Sequence, residues 1–242
     1  TAQFFSILIQ SQESQRVLNL TTDLGLTGAW IAERDSAISV DVVGQNVDAV
    51  ISQQLGIEGL KTYIGTLDNL QDQLSEEYEA IIGTGSIGTL TESRNYETND
   101  GNVELKDAKQ LLEIPNLAER LSPNGFIAFI VPTRFSFETK TKTIRANLEK
   151  FDLHLSGLFS LSVGSLMATN IRVGLAIIDR TPRKDLFVAE VPQGAEEQKT
   201  LIDRFRQRKN ATSASQGRLI DPKRFRGLDA LITNERYQKL GR

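Results

Sequence analysis

The sequence predicts an α/β fold, an open and mostly parallel sheet with helices on both faces. Two observations support this prediction. Short apolar, β-prone segments alternate with segments of helical periodicity along most of the 242 residues. One apolar segment, residues 126–132 (FIAFIVP), is continuous, as is typical of a central buried strand. The composition, with 39% hydrophobic and 24% charged residues, is ordinary for a globular chain of this length.

Each element follows from its residue pattern, in chain order. Apolar residues at helical spacing predict the first helix, Gly28 opens the second, and Pro115 predicts a kink or break inside the fifth. The predicted helices span residues 3–10, 28–35, 47–56, 67–74, 107–121, 138–150 and 196–209. The predicted strands span residues 16–20, 37–44, 61–65, 77–83, 126–132, 153–161 and 171–179, with 186–192 as a possible further strand.

Two connections and one edge complete the predicted sheet. Residues 84–106 are rich in Gly, Thr, Asn and Asp and are predicted to form a long polar loop. Residues 122–125 (SPNG) are predicted to form a turn. Strands 153–161 and 171–179 follow each other without an obvious helix, which predicts an antiparallel hairpin at one edge.

The character of the chain changes after Pro192. We predict a main domain over residues 1–192 and a basic helical appendage over residues 193–242, with a flexible linker near residues 210–217. From Glu196 onward there are 12 Lys and Arg against 6 Asp and Glu, a balance of +6, and the preceding residues have 16 against 25, a balance of −9. A basic tail on an acidic body indicates contact with a polyanion, and a solvated, salt-bridged helix explains it equally well.

Composition excludes several kinds of site. The chain has no Cys, which excludes disulfides, zinc–thiolate sites and thiol nucleophiles. Its single histidine, His154, excludes a histidine metal cluster, and apolar neighbours favour a structural strand position for it; we expect no metal. The sequence shows no run of ~18 apolar residues and no basic-then-apolar leader. We therefore expect a cytoplasmic protein without a membrane partner.

Ligands bind beside the carboxyl ends of the strands in an open parallel sheet. The loops at these ends are residues 19–30, 44–48, 65–69 and 83–88. The last loop, GTGSIG, admits three interpretations: a phosphate cradle, a plain turn, or a site whose reactive residues are missing. The phosphate cradle is the least favoured, because Walker-type spacing needs Gly-Lys-Ser/Thr and no Lys occurs between Lys61 and Lys106.

These loops, followed by residues 122–135 (SPNGFIAFIVPTRF) and 168–180 (ATNIRVGLAIIDR), resemble the N6-adenine DNA methyltransferases of bacterial restriction–modification systems. The resemblance runs from Thr1 to about Pro192 and continues more weakly in residues 225–240. It implies a Rossmann-like class I S-adenosylmethionine-dependent methyltransferase fold, with a seven-stranded, mostly parallel sheet, an antiparallel edge hairpin and a small helical C-terminal appendage. It also implies S-adenosylmethionine as cofactor, and DNA and other domains or subunits of a restriction system as partners.

The cofactor motifs depart from the family's pattern. The family's first loop has an acidic residue and then Gly-x-Gly; aligned on Gly28, the first Gly is replaced by Leu26, and an alternative register uses Asp23 and Gly25. Asn46 replaces the acidic residue that bonds the ribose after strand two, and a neutral hydrogen bond is weaker than a charged one. Thr66 replaces an Asp after strand three, with Asp68 two residues on. The candidate cofactor-binding residues are Asp23, Gly25, Thr27, Gly28, Asn46, Val47, Thr66 and Asp68.

The catalytic motif departs most. In the family, strand four ends in Asp/Asn/Ser-Pro-Pro-Tyr/Phe, whose polar side chain and first Pro carbonyl accept the adenine amino hydrogens and whose aromatic ring stacks on the flipped base. Here the four positions are Thr84, Gly85, Ser86 and Ile87. Ile87 has no aromatic face, and stacking is worth ~1–3 kcal/mol per base. With the other departures, this predicts a methyltransferase fold whose catalytic loop is vacated.

Three functions remain open. The first is a catalytically inactive, methyltransferase-like module that serves as scaffold or DNA-binding part of a restriction or related system. The second is an active adenine methyltransferase with a divergent site, in which Asp23, Asp68 and Thr84, with Asn95, Asn99 or Asp100, supply replacement groups. The third is a protein-interaction domain without a nucleic-acid role, whose tail is an intramolecular docking helix.

The candidate nucleic-acid contacts are the cations of the basic tail. They are Arg204, Arg206, Arg208, Lys209, Lys223, Arg224 and Arg226. Arg204 and Arg208 are four residues apart and are expected to share one helix face. Arg134 and residues 139–142 (TKTK) form a weaker second patch.

Overall fold

A nine-stranded sheet lies at the centre of the computed structural model, which describes residues 1–21, 25–44, 55–70, 72–83, 91–136, 141–162 and 173–222. Its strands are β1 (Arg16–Leu20), β2 (Ser39–Gly44), β3 (Leu60–Ile64), β4 (Tyr78–Gly83), β7 (Leu121–Pro132), β8 (His154–Ser160), β9 (Val173–Asp179), β10 (Leu186–Glu190) and β11 (Arg218–Ile220). The order across the sheet is β11-β10-β8-β9-β7-β4-β1-β2-β3. The predicted α/β class is confirmed.

Five neighbouring strands of the sheet, in the order β7-β4-β1-β2-β3, run parallel, as the buried apolar segments predict. Strand β9 is antiparallel to both β7 and β8, so the predicted antiparallel pair is present, but it lies inside the sheet and not at its edge. Strand β10 pairs parallel with β8, and β11 pairs antiparallel with β10, which extends the sheet beyond that pair.

Two hydrophobic layers cover the faces of this sheet. One contains helices α1 (Ala2–Ser11), α2 (Leu26–Arg34) and α5 (Ala195–Arg206), whose buried side chains include Phe4, Ile31, Ile202 and Phe205. The other contains the short helix α3 (Ile114–Ala118) and the single-turn helix α4 (Ile144–Asn147). Pro115 lies in the first turn of α3, where a missing N–H costs no helical hydrogen bond.

Residues 91–106, predicted as part of a polar loop, instead belong to a hairpin. Strands β5 (Thr91–Thr98) and β6 (Gly101–Ala108) pair antiparallel along their whole length. The reason is a period of two: alternate residues of β6, among them Val103 and Leu105, are buried against the core while their neighbours face solvent. Gly101, with φ +107°, closes the tight turn after Asp100.

Several other elements differ from the prediction. Residues 122–125 lie within β7 and do not form a turn, and residues 218–220 form a strand and not a helix. The helices predicted at 67–74 and 107–121 shrink to a 3-10 turn (Leu67–Asn69) and to a 3-10 turn followed by α3. The helix predicted at 138–150 is α4 and a 3-10 turn where the structure describes it, and most of the one at 47–56 lies outside the described residues.

The described part of the basic tail packs on the main sheet. Phe205 of α5 contacts the rings of Phe159 and Phe187 at centroid distances of 5.5 Å, and Phe159 also meets Phe4 of α1. Residues 210–217 form a turn closed by the Ala211 N–H, which donates to the Gly217 carbonyl at 2.7 Å. The division at residue 192 and the flexible linker stay predictions.

Candidate functional site

A hydrogen bond joins the two described residues that flank the loop after β1, at the carboxyl edge of the sheet. The Gly25 N–H donates to the Thr21 hydroxyl at 3.0 Å, and Gly25 has φ +74°, a left-handed conformation that favours glycine. Helix α2 begins at the next residue, Leu26, whose side chain is 44% exposed. The N-terminus of α2 therefore lies at the ligand-binding edge, as the fold class requires, while the predicted Asp23 lies outside the described residues.

Gly28 packs directly against the sheet. A Cβ on Gly28 would lie 2.7 Å from Val42 Cγ2 and 2.9 Å from Asn19 Oδ1, so any side chain there would separate α2 from the sheet. Thr27 is also buried. Gly28 therefore has a helix–sheet packing role, which the alternative register through Gly25 also gives it.

The structure describes the loops after β2 and β3 only in part. Asn46 and Val47 lie outside the described residues. Thr66 is half-buried with extended backbone, and Asp68 is exposed in the 3-10 turn that follows. Asp68 lines a pocket of about 460 Å³ whose walls include Leu67, Glu76, Asn116, Glu119 and Arg120. Burial of Glu113 raises the pKa of its carboxyl group, and the nearby charge of Asp68 also raises it. Asp68 therefore lies in an acidic neighbourhood near α3.

Gly83, which directly precedes the predicted catalytic loop, is tightly packed. Gly83, the last residue of β4, pairs with Phe129 of β7, and a Cβ on Gly83 would lie 2.6 Å from the Phe129 ring. The four predicted motif residues Thr84, Gly85, Ser86 and Ile87 follow directly and lie outside the described residues. The scaffold that leads into this loop is therefore intact up to its last strand residue.

A second pocket, of about 590 Å³, lies between the base of the β5–β6 hairpin, the end of β7 and the segment before α4. We call it the hairpin pocket; its lining includes Thr91, Lys106, Asp107, Arg134, Lys142 and Thr143. Arg134 and Lys142 belong to a cation patch that the sequence predicts. Lys106 and Asp107 do not, because the sequence pattern predicts a loop up to residue 106 and a helix from residue 107. The signal for the hairpin is the alternation of TESRNYET and GNVELKDA about Asn99 and Asp100.

The buried carboxylate of this pocket is fully engaged. Asp107 is 4% exposed, its Oδ1 accepts from the Ala108 N–H at 2.8 Å, and its Oδ2 accepts from the Ile144 N–H at 3.3 Å. Arg134 approaches Asp107 Oδ1 at 3.8 Å. The Lys106 N–H donates to the Lys142 carbonyl at 2.8 Å, which fixes the hairpin to the opposite wall.

The cations of the tail divide into two groups. Arg206 and Lys209 are exposed, whereas Arg204 is half-buried and donates to the Gln216 carbonyl at 3.2 Å. Arg208 lies beyond the end of α5 and is ion-paired to Asp185, so it does not continue the helix face of Arg204. Lys223, Arg224 and Arg226 lie outside the described residues, as does the 139–140 part of the second patch.

Comparison with known proteins assigns the fold. No protein-family model matches the chain, and no curated protein matches it. A putative class I S-adenosylmethionine-dependent methyltransferase from Listeria monocytogenes aligns with 78% of this chain and 62% of its own, at a TM-score of 0.55 and 15% identity. The fold, with β9 antiparallel beside parallel strands, is that of the S-adenosylmethionine-dependent methyltransferases.

Two similar structures come from type I restriction–modification systems. The methyltransferase subunit from Streptococcus thermophilus has a TM-score of 0.66 at 12% identity and covers 92% of this chain and 55% of its own. A modification subunit of a putative type I restriction enzyme from Vibrio vulnificus has a TM-score of 0.63 at 13% identity and covers 97% of this chain and 59% of its own. The chain thus spans a little over half the length of these subunits, and at such identities the similarity establishes the fold.

The structure describes only part of the cofactor site that the resemblance implies. Gly25 is left-handed beside the start of α2, Gly28 packs against the sheet, and Asp68 lies exposed beside a pocket with acidic residues in its walls. Asp23, Asn46 and Val47 lie outside the described residues, so binding of S-adenosylmethionine at this edge stays a prediction. No helix in the described part of the chain is long and apolar enough to cross a membrane.

Proposed function

We propose that this chain is an N6-adenine DNA methyltransferase-like domain of a restriction–modification or related DNA-acting system, and that it serves as scaffold or DNA-binding module without transferring methyl groups. The proposal rests on the difference between the strand that ends at Gly83 and the four residues that follow it. Strand β4 pairs with β7 up to Gly83, and the next four residues are Thr-Gly-Ser-Ile where the family has its catalytic tetrapeptide.

The chemistry of the amino group explains why these residues stop catalysis. The adenine amino nitrogen is conjugated with its ring and is a poor nucleophile, so the enzyme has to accept both of its hydrogens and orient its lone pair. Thr84 offers one short hydroxyl, Gly85 lacks the rigid carbonyl geometry of Pro, and Ile87 cannot stack through π electrons. The similarity to restriction–modification subunits supports DNA and the other subunits of such a system as partners, and a cytoplasmic location.

A methyl-transfer assay tests this function. The full chain is incubated with saturating labelled S-adenosylmethionine and an adenine-containing duplex, and a parallel calorimetric titration measures cofactor binding. We expect no labelled DNA and no heat at millimolar cofactor. Robust methyl transfer would overturn the proposal, and binding at micromolar strength, about −8 kcal/mol, would show that the loops rebuild a cofactor site.

A matched variant sharpens the assay. Replacing residues 84–87 by Asn-Pro-Pro-Phe restores the family's tetrapeptide without touching the cofactor loops. If only the catalytic loop is vacated, this variant gains methyl transfer; if the cofactor loops are vacated too, it stays inactive and binds no cofactor. Activity of the unmodified chain equal to that of the variant would contradict the assignment of the loss to this loop.

The packing of α5 favours a second candidate, a protein-interaction domain whose tail docks on its own sheet. Phe205 and Arg208 both make intramolecular contacts. DNA binding that is absent or independent of salt would favour this alternative, because contacts to phosphates weaken as the salt concentration rises.

A further inference from the structure

We infer that the hairpin pocket binds the phosphate group of a nucleic-acid strand, an inference that rests on the proposed DNA-binding function. The pocket encloses about 590 Å³, more than a phosphate group needs, and three of its walls come from different parts of the chain. Each wall contributes one cation: Lys106 from β6, Arg134 from the turn after β7, and Lys142 from the segment before α4.

The charge inside the pocket favours an anion. Three cations face one carboxylate in its lining, and that carboxylate, Asp107, already accepts two backbone N–H groups. Arg134 is 44% exposed and stands 3.8 Å from Asp107, so its fork of donors remains accessible from solvent. Asp107 thereby acts as a positioning residue that keeps Arg134 at the mouth of the pocket.

The remaining ion pair at the pocket is weak enough to be displaced. Lys142 pairs with Glu104, and their side chains are 60% and 47% exposed. Exposed pairs of this kind contribute little to stability and are screened by salt. A phosphate can therefore recruit the Lys142 ammonium group at small cost, with the hydroxyl groups of Thr91 and Thr143 in the same lining as additional polar groups.

The framework of the pocket is braced before any ligand arrives. The Ile144 N–H bonds to Asp107, the Lys106 N–H bonds to the Lys142 carbonyl, and Arg145 donates to the Phe135 carbonyl at 2.9 Å. These bonds tie the hairpin, the end of β7 and α4 together. A preorganised pocket loses less conformational entropy when it binds a ligand.

Two parts of the pocket are close in sequence to the segment where the resemblance places the catalytic motif. Gly83, the last described residue before that segment, pairs with Phe129, and β7 continues for three residues beyond that pair before Arg134 follows in the next turn. Thr91, the first described residue after the segment, opens β5 and lines the pocket. A nucleic-acid strand bound in the pocket would therefore lie at the edge of the sheet where β4 and β7 end.

Anisotropy of a fluorescent single-stranded oligonucleotide, titrated with the full chain at several salt concentrations, tests the inference. The test variant is Arg134→Gln with Lys106→Gln, and Lys106→Gln alone is a second variant at an exposed position. The matched control is Lys184→Gln, which removes an exposed cation from the turn after β9, near the amino-terminal end of β7. Circular dichroism confirms that each variant is folded.

We expect the double variant to bind at least tenfold more weakly, with the slope of log K against log salt reduced by about 0.7 for each phosphate that the variant no longer neutralises, and the control to bind like the parent. A folded double variant with parent affinity and slope would overturn the pocket assignment while leaving the proposed function to the tail. Absence of any oligonucleotide binding by the parent would overturn both the nucleic-acid assignment of the pocket and the DNA-binding role of the chain. If such a parent still binds inorganic phosphate or a free mononucleotide by calorimetry, the pocket holds a small phosphate ligand and not a nucleic-acid strand.

Discussion

One guanidinium nitrogen of Arg208 makes two hydrogen bonds to Asp185, one to the carboxylate and one, at 2.9 Å, to the backbone carbonyl of the same residue. A third bond reaches the Ser156 carbonyl of β8 at 2.8 Å. The same group lies 5.8 Å from the centroid of the Phe205 ring. One side chain thus connects the end of α5 to β8 and to the turn before β10.

This arrangement predicts that the Arg208 side chain stabilises the folded protein. Arg208→Ala removes hydrogen bonds that involve charged groups and leaves two carbonyls without this donor, so we expect a loss of about 2 kcal/mol in the free energy of unfolding. The matched control is Arg206→Ala, an exposed neighbour that should change the free energy by less than about 0.5 kcal/mol. Urea unfolding measures both, and equal stabilities of the two variants would contradict the structural role.

Gly28 gives a second prediction about stability. The sequence assigns it to a cofactor motif, and the structure packs it against Val42. Gly28→Ala places a methyl group 2.7 Å from Val42 and forces α2 away from the sheet, so we expect a loss of about 1–3 kcal/mol. Val42→Ala removes the nearest of the close contacts and leaves the one to Asn19 Oδ1 at 2.9 Å. In a double-mutant cycle monitored by urea unfolding, the combined cost should be smaller than the sum of the single costs. Additive costs would show that the two residues do not compete for the same space.

The central sheet was predictable because its strands are buried on both faces. Residues 16–20 and 126–132 read as apolar runs, and the structure places β1 and the main part of β7 there. The hairpin was missed for the opposite reason: in β5 exposed and partly exposed residues alternate, and Val103 and Leu105 are too few to stand out in a polar segment. Register, and with it the meeting of Gly83 and Phe129, depends on long-range pairing that no local pattern encodes.

The candidate site was less predictable than the fold. The motif residues at 84–87 can be named from sequence because they occupy fixed places after an apolar strand. The hairpin pocket cannot, since Lys106, Arg134 and Lys142 are far apart in the chain and come together only through packing. Arg208 is predicted to contact DNA because it lies in a basic segment, and the sequence does not reveal the hydrogen bonds that it makes within the protein.

The pair of Tyr78 and Asp41 gives a third prediction. The Tyr78 hydroxyl donates to the Asp41 carboxylate at 2.5 Å across strand β1, and burial, with this bond and the charge of Asp41, raises the pKa of Tyr78. Tyr78→Phe leaves the buried carboxylate without this donor, which should cost about 1–3 kcal/mol in thermal or urea unfolding. Tyr63→Phe, a half-buried neighbour whose pKa is also raised by burial and by Asp41, is the control. A cost at Tyr78 no larger than at Tyr63 would show that the hydrogen bond is not what stabilises the pair.

Tyr96 links the hairpin to the core and gives a prediction about alkaline pH. Its hydroxyl donates to the Leu112 carbonyl, and its ring meets Phe151 edge-on at 5.7 Å. Burial raises the pKa of Tyr96 to about 12 from an ordinary value of 10.0, and the charges of Glu113 and Asp68 raise it while Arg94 lowers it.

Because the folded-state pKa of Tyr96 is raised, its contribution to stability is complete below pH 10.0 and is lost as the pH rises through about 12. Tyr96→Phe should therefore lower the dependence of stability on pH in that window and remove one late step from a titration of tyrosinate absorbance. Circular dichroism at each pH identifies the range in which the chain is still folded. An unchanged late titration in the Tyr96→Phe chain would mean that another group accounts for it and that the hairpin does not bury this hydroxyl in solution.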